Sequence, residues 1–96
     1  MANFSTRPLA QQDIQEVVDY YDDINPKLAD SFLVELEQCY NKINQIPEGY
    51  QKRLGNIRVA FLKNFPFGVY YKIYGEKIVV IAVLHTSKNP KVWKER

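Results

Sequence analysis

His85 and a set of cations, Lys52, Arg53, Arg58 and Lys88, are the residues of this chain whose types suit chemistry on a phosphate. Such chemistry needs a group to take a proton, a group to give one, and cations against the charge that builds on the phosphate. His85 is the only histidine, hence the only side chain whose unperturbed pKa lies near neutrality. As a general base it stands at a strand end facing the open side of a sheet; as a structural residue it hydrogen-bonds the turn that follows. The structural role is favoured, because proton transfer needs a partner acid and none is close by. Arg58 lies among apolar residues and is either a ligand-binding cation on the open face or the partner of an acidic helix residue. Tyr70, Lys72 and Tyr74 share one strand face, where aromatics interleaved with a cation suit nucleic acid or the apolar side chains of a protein. Trp93 is expected to pin the C-terminal segment to the domain rather than stack on a base, since large aromatics go to burial. Cys39 is the single cysteine, which rules out an internal disulfide and a Cys-pair metal site. No metal and no cofactor are expected.

The elements that must position these residues are legible in the spacing. Val69, Tyr71 and Ile73 alternate with Tyr70, Lys72 and Tyr74, the period of a strand with one face more buried than the other. Gly75-Glu76 closes a two-residue turn, Gly supplying the positive φ of a II′ hairpin, so Lys77 onward pairs antiparallel with the preceding strand. Ile78 to Leu84 is apolar at every position and reads as the strand in the middle of the sheet. Ile57, Val59 and Phe61 alternate with Arg58, Ala60 and Leu62 in another strand, and Tyr50 to Gly55 is a loop or the frayed start of one. Upstream, Ala10, Ile14, Val17, Val18, Tyr21 and Ile24 recur at helical steps after Pro8, with Asp13, Glu16, Asp19, Asp22 and Asp23 on the other face. Asn25-Pro26 ends that helix and starts the next, whose stripe of Leu28, Phe32, Leu36, Cys39, Tyr40, Ile43 and Ile46 stops at Pro47. Cys39 falls on that apolar face and reads as a buried, inert thiol. Ala2 to Thr6 is a short edge strand.

These elements make an α+β two-layer fold in the order β-α-α-β-β-β. An N-terminal edge strand is followed by an antiparallel helix hairpin packed on one face of a mainly antiparallel four-stranded sheet. With 96 residues the chain has room for one domain, residues 1–96. Its longest apolar run, Ile78 to Leu84, is far below the ~20 residues of a membrane span, so a cytoplasmic protein without a membrane partner is expected. The net charge of +2 conceals a division along the chain. Residues 1–51 hold three basic and nine acidic side chains, a net −6, and residues 52–96 hold ten and two, a net +8. Charge runs are usually solvated faces but seldom segregate this far, which favours a basic surface built by the sheet and tail for a polyanion or an acidic protein segment.

In this order the residues resemble the RelE/ParE superfamily, the toxin half of type II toxin-antitoxin modules, and its ParE branch more closely. The matching pieces are Ala10, Asp13, Ile14 and Tyr20-Tyr21, then Asn25-Pro26 with Ala29 and Phe32, and Ile46-Pro47. Further on come Arg53, Arg58, Phe65-Pro66-Phe67 with Tyr71, and Ile81 to His85 with Asn89-Pro90 and Trp93. The resemblance spans nearly the whole chain. It implies a RelE/ParE-like toxin domain held inactive by a cognate antitoxin, whose acidic amphipathic segment wraps its surface and through which alone it meets DNA. RelE-like toxins cut mRNA on the ribosome, whereas ParE-like toxins act on DNA gyrase by binding. The positions that often carry Arg and Tyr in the nuclease branch read His85-Thr86-Ser87-Lys88 here, without a tyrosine. A binding toxin is therefore expected, with Arg58, Tyr70, Lys72, Tyr74, His85, Lys88 and Trp93 as partner contacts. The alternatives are a ribosome-dependent mRNA endonuclease using Arg53, Arg58, His85 and Lys88, and an inactive binding scaffold.

Overall fold

Proline and asparagine set the helix boundaries. In the computed structural model, which describes residues 3–87, α1 runs Pro8–Ile24 and α2 runs Pro26–Gln45. Pro8 sits in the first turn of α1, where its missing N–H is no loss. Asn25 serves both helices. Its extended backbone closes α1 through its N–H to the Tyr21 carbonyl, and its side chain accepts from the Lys27 N–H at 3.0 Å to cap α2. One residue of non-helical backbone thus folds two amphipathic helices into a hairpin, as the spacing predicts.

The strands are β1 (Phe4–Thr6), β2 (Lys52–Leu54), β3 (Ile57–Phe61), β4 (Phe67–Tyr74) and β5 (Lys77–His85), in the spatial order β1-β5-β4-β3-β2. The α+β two-layer reading holds, with two differences. The sheet has five strands rather than four, because Lys52–Leu54 pairs with the start of β3. It is also mixed: β1 lies parallel to β5, with Phe4 beside Ile78 and Thr6 beside Val80. Strand β5 is consequently flanked by β1 and β4, and the middle position belongs to β4. The β4–β5 turn is the expected one, with Gly75 at φ 59° and Tyr74 opposite Lys77.

The larger core lies between the helices and the sheet. Phe32, Ile43, Val69, Tyr71 and Val80 are fully buried there, joined by Leu36, Cys39, Ala60 and Val83. Tyr21 and Phe32 each meet Phe65 and Phe67 edge-on, with centroids 5.1 Å apart for Tyr21–Phe65 and 5.8 Å for Phe32–Phe67. Such edge-to-face contacts add to the burial of the rings themselves. Helix α1 also closes the sheet: Asp13 Oδ2 accepts the Val83 N–H at 3.0 Å, on the part of β5 that extends past its pairing with β1.

A bulge decides which residues reach which face. Tyr70 pairs with Ala82 and Tyr71 with Val80, so Ile81 is an extra residue on β5. Ile81 and Ala82 both join a second apolar cluster on the face away from the helices, with Ile57, Val59, Tyr70 and Leu84. Val80 and Val83 return to the helix side. An uninterrupted apolar run carries no trace of this change of parity.

Candidate functional site

The sequence-expected residues fall into three separate places. Arg58 and Tyr71 are cross-strand partners and share the helix-facing side. Among the described residues Arg58 is neither a cation on the open face nor the partner of an acidic side chain. Its Nη1 donates to the carbonyls of Tyr50 at 2.6 Å and Glu48 at 3.2 Å. The Tyr71 hydroxyl donates to the Pro47 carbonyl at 2.6 Å. Both side chains grip the short 3-10 turn Pro47–Gly49 that follows α2 and whose carbonyls no helix pairs. Burial of Tyr71 pushes its pKa up to about 12, with the Arg58 charge opposing.

His85 lies at the far end of β5 and faces the helix side, not the open side. It pairs with Phe67 and stands edge-on to that ring at 5.3 Å. Its Nδ1 accepts the Ser87 N–H at 3.0 Å and lies 2.8 Å from Ser87 Oγ. The Thr86 N–H donates to the Pro66 carbonyl at 2.9 Å, so the turn after β5 is tied to the loop before β4. Arg58 and His85 are matched to Tyr71 and Phe67 of β4. Four residues of strand separate those partners, roughly 13 Å. The two groups do not converge on one substrate atom. Lys88 and Trp93 lie outside the described residues.

The third place is the β2–β3 corner. Arg53 alternates with Lys52, the partner of Arg58, and so turns to the open face. Its guanidinium lies 5.5 Å from the Phe61 ring centroid, a cation–π distance. Phe61 is half exposed. Tyr70, expected to be available to a partner, is instead buried in the second cluster; burial raises its pKa and Arg53 opposes the rise. Tyr74 is exposed, and its hydroxyl accepts from Arg7 Nη2 at 3.4 Å. Lys72 is half-buried on the same face. The open face is therefore apolar at its centre and polar at Arg53 and toward the β4–β5 turn.

On its other side Phe61 lines a groove of about 710 Å³ between α2 and β3. Leu28, Val34 and Phe65 supply its apolar wall, and Lys42 and Lys63 stand on it, along with Asp30 and Glu35. Glu35 Oε1 accepts the Asn64 N–H at 2.6 Å, which commits that carboxylate to the loop. Cys39 lines the groove from beneath; burial pushes its thiol up to about 11, the Lys42 charge opposing, so it is protonated and unreactive at neutral pH. Sequence reasoning missed this groove. Its one signal is Val34, an apolar residue off the buried stripe of α2 and more than half exposed.

The structure resembles a chain of the chromosomal ParDE TA system from P. aeruginosa, with a TM-score of 0.77 over 86% of this chain and 94% of that one. At 17% identity that likeness speaks for the fold. A family model, the ParE toxin of type II toxin-antitoxin system, parDE, matches residues 5–90. The chain belongs to the ParE toxin family. The search of curated proteins found no match. Among the described residues no helix is long and apolar enough to cross a membrane.

Proposed function

We propose that this protein is a toxin that inhibits growth by binding a cellular target such as DNA gyrase, and that a cognate antitoxin neutralises it. The family match over residues 5–90 carries the reading. The dispersal of the candidate catalytic groups supports binding over RNA cleavage: Arg58 is spent on carbonyls, Arg53 on a ring, and His85 on the turn beyond β5. A transition state needs such groups within hydrogen-bond reach of one substrate. The antitoxin's acidic amphipathic segment fits the groove along α2, its apolar side chains against Val34 and Phe61 and its carboxylates toward Lys42 and Lys63. Arg53, over the Phe61 ring, extends this contact surface, and Lys72 and Tyr74 add a polar margin toward the other end of β4.

Inducible expression of the chain alone tests the reading. Growth is expected to slow, chromosomal breaks to accumulate while mRNA stays intact, and co-expression of the adjacent small gene to restore growth. Cleaved mRNA with unbroken DNA assigns the nuclease activity instead. Normal growth at full soluble expression overturns the toxin reading.

A further inference from the structure

Backbone polar groups alternate sides along a strand. On β3 the Leu62 N–H donates to the Phe67 carbonyl, toward β4, and the Val59 N–H donates to the Gln51 carbonyl on the opposite side. Phe61 therefore turns its N–H and C=O the way Val59 does, away from β4. Strand β2 does not reach that far, since it pairs only with Ile57 and Arg58. The chain ahead of β2 is drawn off toward α2, where Arg58 and Tyr71 hold the Pro47–Gly49 turn. Among the described residues neither polar group of the Phe61 backbone has a partner. Beside them lies the groove, with Phe61, Leu62 and Lys63 along one rim and α2 along the other.

We propose that the groove takes its occupant as an extended strand, hydrogen-bonded to the Phe61 edge of β3, and that this strand alternates apolar with acidic residues. The inference rests on the antitoxin reading for the identity of the partner and adds the conformation in which it is held. A strand beside Phe61 sends alternate side chains to the two faces of the sheet. Those on the helix side meet Leu28, Val34 and the buried Leu62. Those on the open face meet Arg53, whose guanidinium lies over the Phe61 ring. Apolar residues suit the first set and carboxylates the second, with Lys42 and Lys63 adding positive charge along the groove. From Leu28 to Lys42 the α2 wall is roughly 20 Å long, the span of about six extended residues. A helix laid there would cover the Phe61 N–H and C=O without pairing them, a cost that a strand avoids. A second copy of this chain would set Arg53, Lys42 and Lys63 against the same three cations, so lysine and arginine on this edge select an acidic strand over self-pairing. Main-chain bonds then give the affinity and the alternating side chains the specificity.

Amide hydrogen exchange read by NMR tests the pairing in the full-length chain, free and in complex with the product of the adjacent small gene. The Phe61 amide is expected to exchange at least about tenfold more slowly in the complex. Two variants take the ring out of the comparison. Phe61→Ala keeps the N–H, whereas Phe61→Pro removes it where it serves no bond within the sheet, a change that an edge strand tolerates. With circular dichroism of the two alike, Phe61→Pro is expected to bind that product at least about tenfold more weakly than Phe61→Ala. A complex in which the Phe61 amide exchanges as in the free chain, or equal affinities of the two folded variants, overturns the strand while the antitoxin reading stands. Failure of the unmutated chain to bind the product at all overturns both. The exchange result is read without mutation, so it decides the matter even where Phe61→Pro fails to fold.

Discussion

The 3-10 turn after α2 is held by two side chains from different strands, and Tyr71→Phe isolates one of them. The Tyr71 ring is fully buried and its hydroxyl donates at 2.6 Å to the Pro47 carbonyl. Phenylalanine keeps the ring packing against Tyr50 (centroids 6.4 Å apart) and removes only that bond. A net hydrogen bond contributes about 1 kcal/mol, and an acceptor left without its donor costs about 1–3 kcal/mol. Because the turn lies at the protein surface and water can replace part of the lost bond, a loss of about 1–2 kcal/mol is expected. For a chain of this size that is a fall in Tm of roughly 4–16 °C. Urea unfolding followed by circular dichroism measures it, with a lower midpoint at unchanged slope. Arg58→Ala releases the same turn from the Tyr50 and Glu48 carbonyls, so the two substitutions together cost less than the sum of each alone. An unchanged midpoint in Tyr71→Phe, or strict additivity in the double variant, refutes the idea that these two residues jointly hold the turn.

Other outcomes follow from the same geometry. The folded-state pKa values of Tyr71, up to about 12, and Cys39, up to about 11, lie above their ordinary values of 10.0 and 9.0. In both cases the folded protein keeps its proton longer than the unfolded chain. Their contribution is thus whole below pH 9 and is lost as pH rises through the window from 9 to 12; urea midpoints measured across that range are expected to fall, and Tyr71→Phe to flatten the upper part of the decline. Asp13→Ala strips the Val83 N–H of its acceptor, for an expected cost of about 1–3 kcal/mol and faster hydrogen exchange at the Val83 amide. Asp13→Asn retains a carbonyl oxygen and is expected to lose less.

The helix pair was legible because its signals are local. Proline at Pro8 and Pro26 and the amide of Asn25 act on their own backbone, and the apolar spacing between them is set by one helical turn. The Gly75 turn is equally local, since a positive φ there is a property of one residue. The candidate site was legible only in its residue types. Arg53 and Arg58 are five residues apart in sequence, yet β2 and β3 turn them to opposite faces of the sheet.

By itself the sequence determined the two helices, their boundary at Asn25, the alternation along β4 and the division of charge between the halves of the chain. Tertiary structure alone decided that β1 lies parallel beside β5, that Lys52–Leu54 joins the sheet, and that His85 turns toward Phe67 rather than to the open face. The physical reason is that strand partners are chosen by residues distant in the chain. A run such as Ile78 to Leu84, apolar at every position, fits either face equally well, so the bulge at Ile81 was free to set which side chains are buried under the helices and which form the second apolar face.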